Sequence, residues 1–247
     1  MLKEPALSQE ERPFWNFFLQ NNLWQTGYEP VCNLCESTSP KVSKFGGYIP
    51  HLPQEPPHVC SECDKKKEVL LQLYIPDAPQ PVKELFPDQL QKSLIVFTYC
   101  TECMSSNEEN SISYNVYSEE EIPSLVFDQP PEDYKINSSV ITNWAPFRSI
   151  DGSTSKFYDL VNEAGLDDVQ MEEFVRELKN KYAGTTYLRG NADFTEGEYD
   201  APEGMVLLAS FEQDKNFSMM WGDAGVAHLW MKPREAFGEF NLTWLCG

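Results

Sequence analysis

Two cysteine pairs of the form C-x-x-C bracket two strand-like runs, and no other feature constrains the fold of this chain as tightly. Cys60 and Cys63 precede the run VLLQLYI at 69–75, and Cys100 and Cys103 directly follow LIVFTY at 94–99. Both runs are rich in β-branched and aromatic residues and are bounded by Pro, Asp and Ser, the pattern of short buried strands. If the two strands are antiparallel neighbours, the start of the first sits beside the end of the second, and four sulfurs converge. Zinc takes four ligands in a tetrahedron, and each C-x-x-C turn supplies two of them. The expectation is therefore a structural zinc held by Cys60, Cys63, Cys100 and Cys103, whose binding energy contributes to folding.

A third pair, Cys32 and Cys35, leaves alternatives open. It replaces one of the other pairs, forms a second site with His51 and His58, or consists of free thiols. None of the pairs opens a helix after a strand, so a thioredoxin-like redox role is not expected. Cys246 follows the apolar run LTWL and reads as a buried or half-buried thiol.

Along the chain, residues 13–30 are rich in aromatics, carry no charge before Glu29, and read as a short helix or loop packed on the body. QPVKELFPDQLQKS at 80–93 looks like a loop with one helical turn. The segment 104–135 is acidic and Pro-bearing. SISYNVY within it alternates like an edge strand, and the remainder reads as a surface excursion. Residues 155–164 form a short helix ending at Gly165. Residues 168–182 give the strongest helical pattern, with Val169, Phe174, Val175 and Leu178 as its apolar stripe and Asp167 as N-cap. Strand pattern returns in VLLASF at 206–211 and GVAHLWM at 225–231.

The two β regions resemble each other. SKFGGYIPHL at 43–52 aligns with TTYLRGNADF at 185–194, a one-residue offset matching Gly47 to Gly190. EVLLQLYIPD at 68–77 aligns with MVLLASFEQD at 205–214, and SLIVFTY with GVAHLWM. Two copies make a pseudo-symmetric domain, not a solenoid. The expected architecture is α+β, mainly antiparallel β with an internal duplication and a few helices in the middle. It forms one unit over 1–247: a first pseudo-repeat at about 42–104, the acidic excursion at about 104–135, a helical middle at about 150–184, and a second pseudo-repeat at about 185–247.

SKFGGYIPHLP at 43–53, the LLQLY strand and MWGDAGVAHLWM at 220–231 together resemble the YwqG-like family, a domain of unknown function. That resemblance implies an α+β fold with an internal duplication and no established activity. The first half, from KFGGYIP through LLQLYIPD to VFTYCTEC, is also similar to the programmed-cell-death protein-two family, which implies a dedicated chaperone for a basic ribosomal protein. In the second repeat RGNADF stands where the pattern has a double glycine.

Charge and composition narrow the function. A hydrophobic fraction of 41% and an aromatic fraction of 13% mark a folded globular protein. The formal net charge of −20 repels phosphate backbones and attracts basic proteins, so nucleic acid is not an expected partner. No run approaches the roughly 18 apolar residues that span a bilayer, so neither is a membrane. The N-terminal sequence lacks a secretory pattern, which points to a cytoplasmic, reducing compartment where paired cysteines ligate metal.

Catalytic candidates are sparse. Asp223 in the WGDAG turn is a candidate general base and His228 a candidate assistant, but glycines on either side of an aspartate also make an ordinary turn, and His228 lies in an apolar strand. The expected function is thus a non-catalytic, chaperone-like protein-binding module with a structural zinc and an acidic surface for a basic partner. The alternatives are a hydrolase working near Asp223 between the repeats, and a subunit of a larger assembly.

Overall fold

Two long strands that carry prolines form the middle of the structure. β1 (Trp24–Leu34) and β8 (Ser139–Ile150) pair antiparallel along their lengths, with an irregularity between Val31 and Cys32. Sequence alone does not mark either one, because Gly27 and Pro30 interrupt the first and Pro146 the second. The sheet explains why they are tolerated. On its far side β1 is paired only at Gly27 and Tyr28, and β8 only at Ser139 and Val140. Pro30 and Pro146 therefore sit where each strand has a neighbour on one side alone, and a missing N–H breaks no ladder there.

A computed structural model describes residues 7–9, 11–103, 112–150, 155–165, 169–171, 173–174, 186–192, 201–219, 221, 225–234 and 237–245. Strands dominate it and helices are few. On one flank of the β1–β8 pair lie β2 (Lys44–Phe45), β4 (Glu68–Tyr74), β5 (Leu94–Tyr99) and β6 (Ile112–Tyr117). On the other lie β9 (Tyr187–Arg189), β10 (Val206–Phe211), β11 (Val226–Met231) and β12 (Phe240–Leu245). All ten strands belong to one antiparallel sheet, and β3 (Ile49–His51) pairs separately with β7 (Val126–Asp128).

The sheet curls until its edges nearly meet. Tyr114 on β6 donates its hydroxyl to the Gly238 carbonyl at 2.8 Å, and its ring lies 4.5 Å from that of Phe240 on β12. Phe97 packs edge-on against the same ring at 4.9 Å. Inside this curl a single cluster joins Phe45, Leu71, Phe97, Phe211, Phe217 and Trp221. The outer face of the first flank is also covered, by Ile49, Val69, Leu94, Val96, Tyr117 and Ile122. Burial on both faces is why β4 and β5 read as continuous apolar runs instead of alternating ones.

Most predicted strands fall within a residue of their expected limits, and ISYNVY does occupy a sheet edge. The segment after it does more than cross the surface, since Ile122 is buried and 126–128 form β7. The N-terminal aromatic stretch forms α1 (Arg12–Gln20), where Pro13 suits the first turn and Trp15 and Phe18 are buried. α2 (Gln80–Lys83) is the single turn anticipated, and α3 (Ser155–Glu163) ends before Gly165 in the left-handed region at φ +62°. Residues 168, 172 and 175–182 of the next expected helix, and its expected N-cap Asp167, lie outside the described residues. Among those described, Phe174 packs against Phe14 and Phe18 of α1, but Val169 is 72% exposed and Met171 takes the buried position instead. Of the expected stripe, Phe174 is thus buried and Val169 is not.

Candidate metal centre

The antiparallel register of β4 and β5 sets Glu68 opposite Tyr99, so the chain entering β4 runs beside the chain leaving β5. Cys60 and Cys63 lie in a small loop closed by a bridge between Val59 and Lys66, with the Cys60 N–H donating to the Lys65 carbonyl at 2.8 Å. Asp64 completes the turn at φ +56°, a conformation that Asp reaches more readily than most residues. Cys100 and Cys103 follow Tyr99 without a break.

The four sulfurs meet. Cys60 Sγ is 3.7 Å from Cys103 Sγ, Cys63 Sγ is 3.6 Å from Cys100 Sγ, and all four lie within 4.8 Å of one another. Cys60 and Cys100 are buried, whereas Cys63 and Cys103 are partly exposed. Among the described residues this is the one group of three or more His, Cys, Asp or Glu side chains that can hold a metal ion. Neither Cys32 nor Cys35 belongs to it. Both sit on and just beyond the end of β1, Cys32 half-buried against the main core and Cys35 exposed.

Each turn presents backbone N–H groups to its first sulfur: those of Glu62 and Cys63 to Cys60, and those of Glu102 and Cys103 to Cys100. Burial raises the Cys60 thiol, but these amides and the neighbouring thiols outweigh it and bring the value down to about 7. Burial pushes the Cys100 thiol up, and the crowding of the other sulfurs, Cys63 foremost, pushes Cys103 up. One thiolate is thus favoured in the cluster before any cation arrives, and a cation is what stabilises the others.

Charged residues that the sequence did not single out frame the cluster. Lys67 is 5% exposed; burial lowers its ammonium, while the thiolates of Cys60, Cys100 and Cys103 pull it back up. It donates to Ser113 Oγ at 3.1 Å. Lys135 Nζ donates to the Thr101 carbonyl at 3.0 Å and pairs with Glu102 at 2.9 Å. Glu68, 2% exposed, accepts from Thr101 Oγ1 at 2.7 Å and from the backbone of Lys135 and Ile136. The one sequence hint for Glu68 was its place, a carboxylate opening an otherwise apolar strand.

Other predicted candidates lie elsewhere. His51 hydrogen-bonds the Leu52 carbonyl at 3.0 Å and meets Asp128 at 3.5 Å. The His58 ring stands 6.2 Å from it, and burial, then the His51 charge, lower its pKa. His228 is fully buried on β11, opposite Ser210 and Thr243 in neighbouring strands. Asp223 and Cys246 lie outside the described residues.

Lys44 escaped the sequence reading altogether. Its side chain is fully buried, and Nζ donates to the carbonyls of Ser37 at 3.1 Å and Tyr48 at 2.6 Å. Burial lowers its pKa to about 8, partly offset by Glu36. Nearby, Leu34, Cys35, Glu36, Gly47, Tyr134 and Ser138 line an open cavity of about 300 Å³.

These features define a class: a nearly closed antiparallel β protein with a four-cysteine cluster at one strand end. The chain belongs to the family described as a domain of unknown function (DUF1963), whose model matches residues 43–246. A search of curated proteins finds no match to it. Among the described residues no helix is long and apolar enough to cross a membrane.

Proposed function

We propose that this chain is a non-catalytic, chaperone-like protein-binding module of the cytoplasm, stapled by a structural zinc and built to hold a basic protein partner. The observation that carries the metal half is the sulfur spacing. A tetrahedral zinc with Zn–S bonds of about 2.3 Å places its sulfurs about 3.8 Å apart, and two of the pairs here lie at 3.6 and 3.7 Å. Cys60, Cys63, Cys100 and Cys103 hold the ion, while Cys32 and Cys35 stay outside it. The partner half rests on charge: a net −20 favours a basic protein over a nucleic acid. The resemblance of the first half to the programmed-cell-death protein-two family supports the partner half, while that to the YwqG-like family implies no activity.

The domain reading belongs to the same proposal: two pseudo-repeats, at about 42–104 and 185–247, arose by duplication and flank the central strand pair. In support, the strand orders on the two flanks mirror each other, and β4 and β10 are both irregular, between Val69 and Leu71 in the first and between Leu207 and Ala209 in the second. The turns after β2 and within β9 match as well, with Gly46 and Gly47 at φ +56° and +70° and Arg189 and Gly190 at +58° and +89°. Arg189 thus takes up the left-handed conformation of the lost first glycine. The docking surface in this reading is the cleft between the repeats with acidic residues of 112–135 as its rim, and Leu34 and Tyr134, 62% and 51% exposed, line a cavity that borders the first repeat at Gly47.

The test is capture by the immobilised chain at rising salt. Recovery of a basic protein whose binding weakens with ionic strength supports the reading. Recovery of no basic protein, or binding indifferent to salt, contradicts it.

A further inference from the structure

The segment Lys135, Ile136 and Asn137 is joined to three parts of the fold at once. Toward the cysteine cluster, the Glu68 carboxylate accepts the Lys135 N–H at 2.9 Å, the Ile136 N–H at 2.8 Å and the Thr101 hydroxyl at 2.7 Å. Thr101 lies between the ligands Cys100 and Cys103, and the Lys135 ammonium holds both its carbonyl and the Glu102 carboxylate. Toward the second flank, Ile136 bridges Phe217, the Asn137 N–H donates to the Asn216 carbonyl at 2.7 Å, and the Ser218 N–H donates to the Lys135 carbonyl at 2.9 Å. Toward the first flank, the carbonyls of Ile136 and Asn137 lie so close to Gly46 that a side chain there would collide with backbone. Phe217 then packs on Phe45 at 5.2 Å and on Phe211 at 5.5 Å.

We propose that Glu68 is a positioning residue through which metal loading of the cysteine cluster sets the junction between the two flanks of the sheet. The inference rests on the metal reading above and goes beyond it. A metal fixes the Cys100–Cys103 turn and so fixes Thr101 and Glu102. Glu68 is buried, so its oxygens depend on these few donors, and loss of one weakens the hold on the others. The amides of Lys135 and Ile136 share that carboxylate with Thr101, so order in the cysteine turn passes directly to the strand junction. Coupling of this kind is reciprocal: what loosens the junction also loosens the metal.

The experiment follows amide exchange by NMR in the full chain, zinc-loaded and chelated, in the wild type, Glu68→Gln and Thr101→Val. Chelation is expected to speed exchange at Ile136, Asn137 and Ser218 about tenfold or more through local opening, read beside Leu229 and Leu242, whose exchange reports the accompanying loss of global stability. Glu68→Gln should give the same local acceleration with one zinc still bound, and Thr101→Val a smaller one if Glu68→Gln does not fold. By reciprocity Phe217→Ala, which alters no cysteine, should speed zinc transfer to a chelator several-fold. Equal protection at the three junction amides with and without zinc overturns the coupling, as does unchanged exchange in both network variants. A chain that takes up no zinc overturns the metal reading itself, and the inference with it.

Discussion

Cys63 Sγ lies 3.6 Å from Cys100 Sγ although 37 positions separate the two residues in the chain. Only the pairing of β4 with β5 brings them together, so the cluster and the first flank stand or fall as one unit.

Ligand variants test that unit. Cys63→Ser or Cys103→Ser should abolish stoichiometric zinc and lower stability by about 4 kcal/mol or more, the linkage expected of a tightly held ion. That corresponds to a melting shift of roughly 8–16 °C for a chain of this size. Cys32→Ser and Cys35→Ser should leave zinc content unchanged. Calorimetry with metal analysis on the four variants checks both halves.

The buried Lys44 predicts a pH dependence. Burial, opposed weakly by Glu36, lowers its pKa to about 8 from an ordinary 10.5. Between those values the unfolded chain binds a proton that the folded chain has shed, so this residue makes stability rise with pH across that window. Below about 8 both states are protonated and the burial penalty is felt in full. In Lys44→Met the contribution should vanish, which denaturant titrations from pH 7.5 to 10.5 will register as a flatter profile than wild type.

Gly46 and Gly204 share a left-handed conformation but not a neighbourhood. A side chain at Gly46 collides with the backbone of Ile136 and Asn137, whereas one at Gly204 meets nothing within 4 Å. Gly46→Ala should cost about 3 kcal/mol or more, and Gly204→Ala only about 1 kcal/mol of backbone strain. Chemical denaturation of the two variants side by side separates them.

At the closing seam, Phe97 is fully buried and touches both Tyr114 and Phe240. Phe97→Ala should cost about 3–5 kcal/mol. Tyr114→Phe removes only a half-exposed hydrogen bond to Gly238 and should cost no more than about 1 kcal/mol. Urea midpoints measure both.

How much of this was legible in the chain depended on what each element had to satisfy. β4 and β5 were readable because burial on both faces demands unbroken apolar runs, and the cysteine pairs because two C-x-x-C turns flanking adjacent strands have few other uses. β1 and β8 were hidden because their prolines imitate breakers, and only the short reach of β2 and β9 makes Pro30 and Pro146 harmless. Lys44 and Glu68 were hidden for a different reason. Their burial is stabilised by backbone groups of Ser37, Tyr48, Lys135 and Ile136, and neither composition nor periodicity records such partners. Arg189 gave no warning either, since a left-handed arginine is found only by seeing its neighbour Gly190 folded against Ser149.

The most direct measurement is X-ray absorption at the zinc edge on the purified chain, with metal content determined on the same sample. One zinc per chain, surrounded by four sulfurs at about 2.3 Å, is the predicted result. A chain free of metal, or a shell containing nitrogen in place of a sulfur, would contradict it.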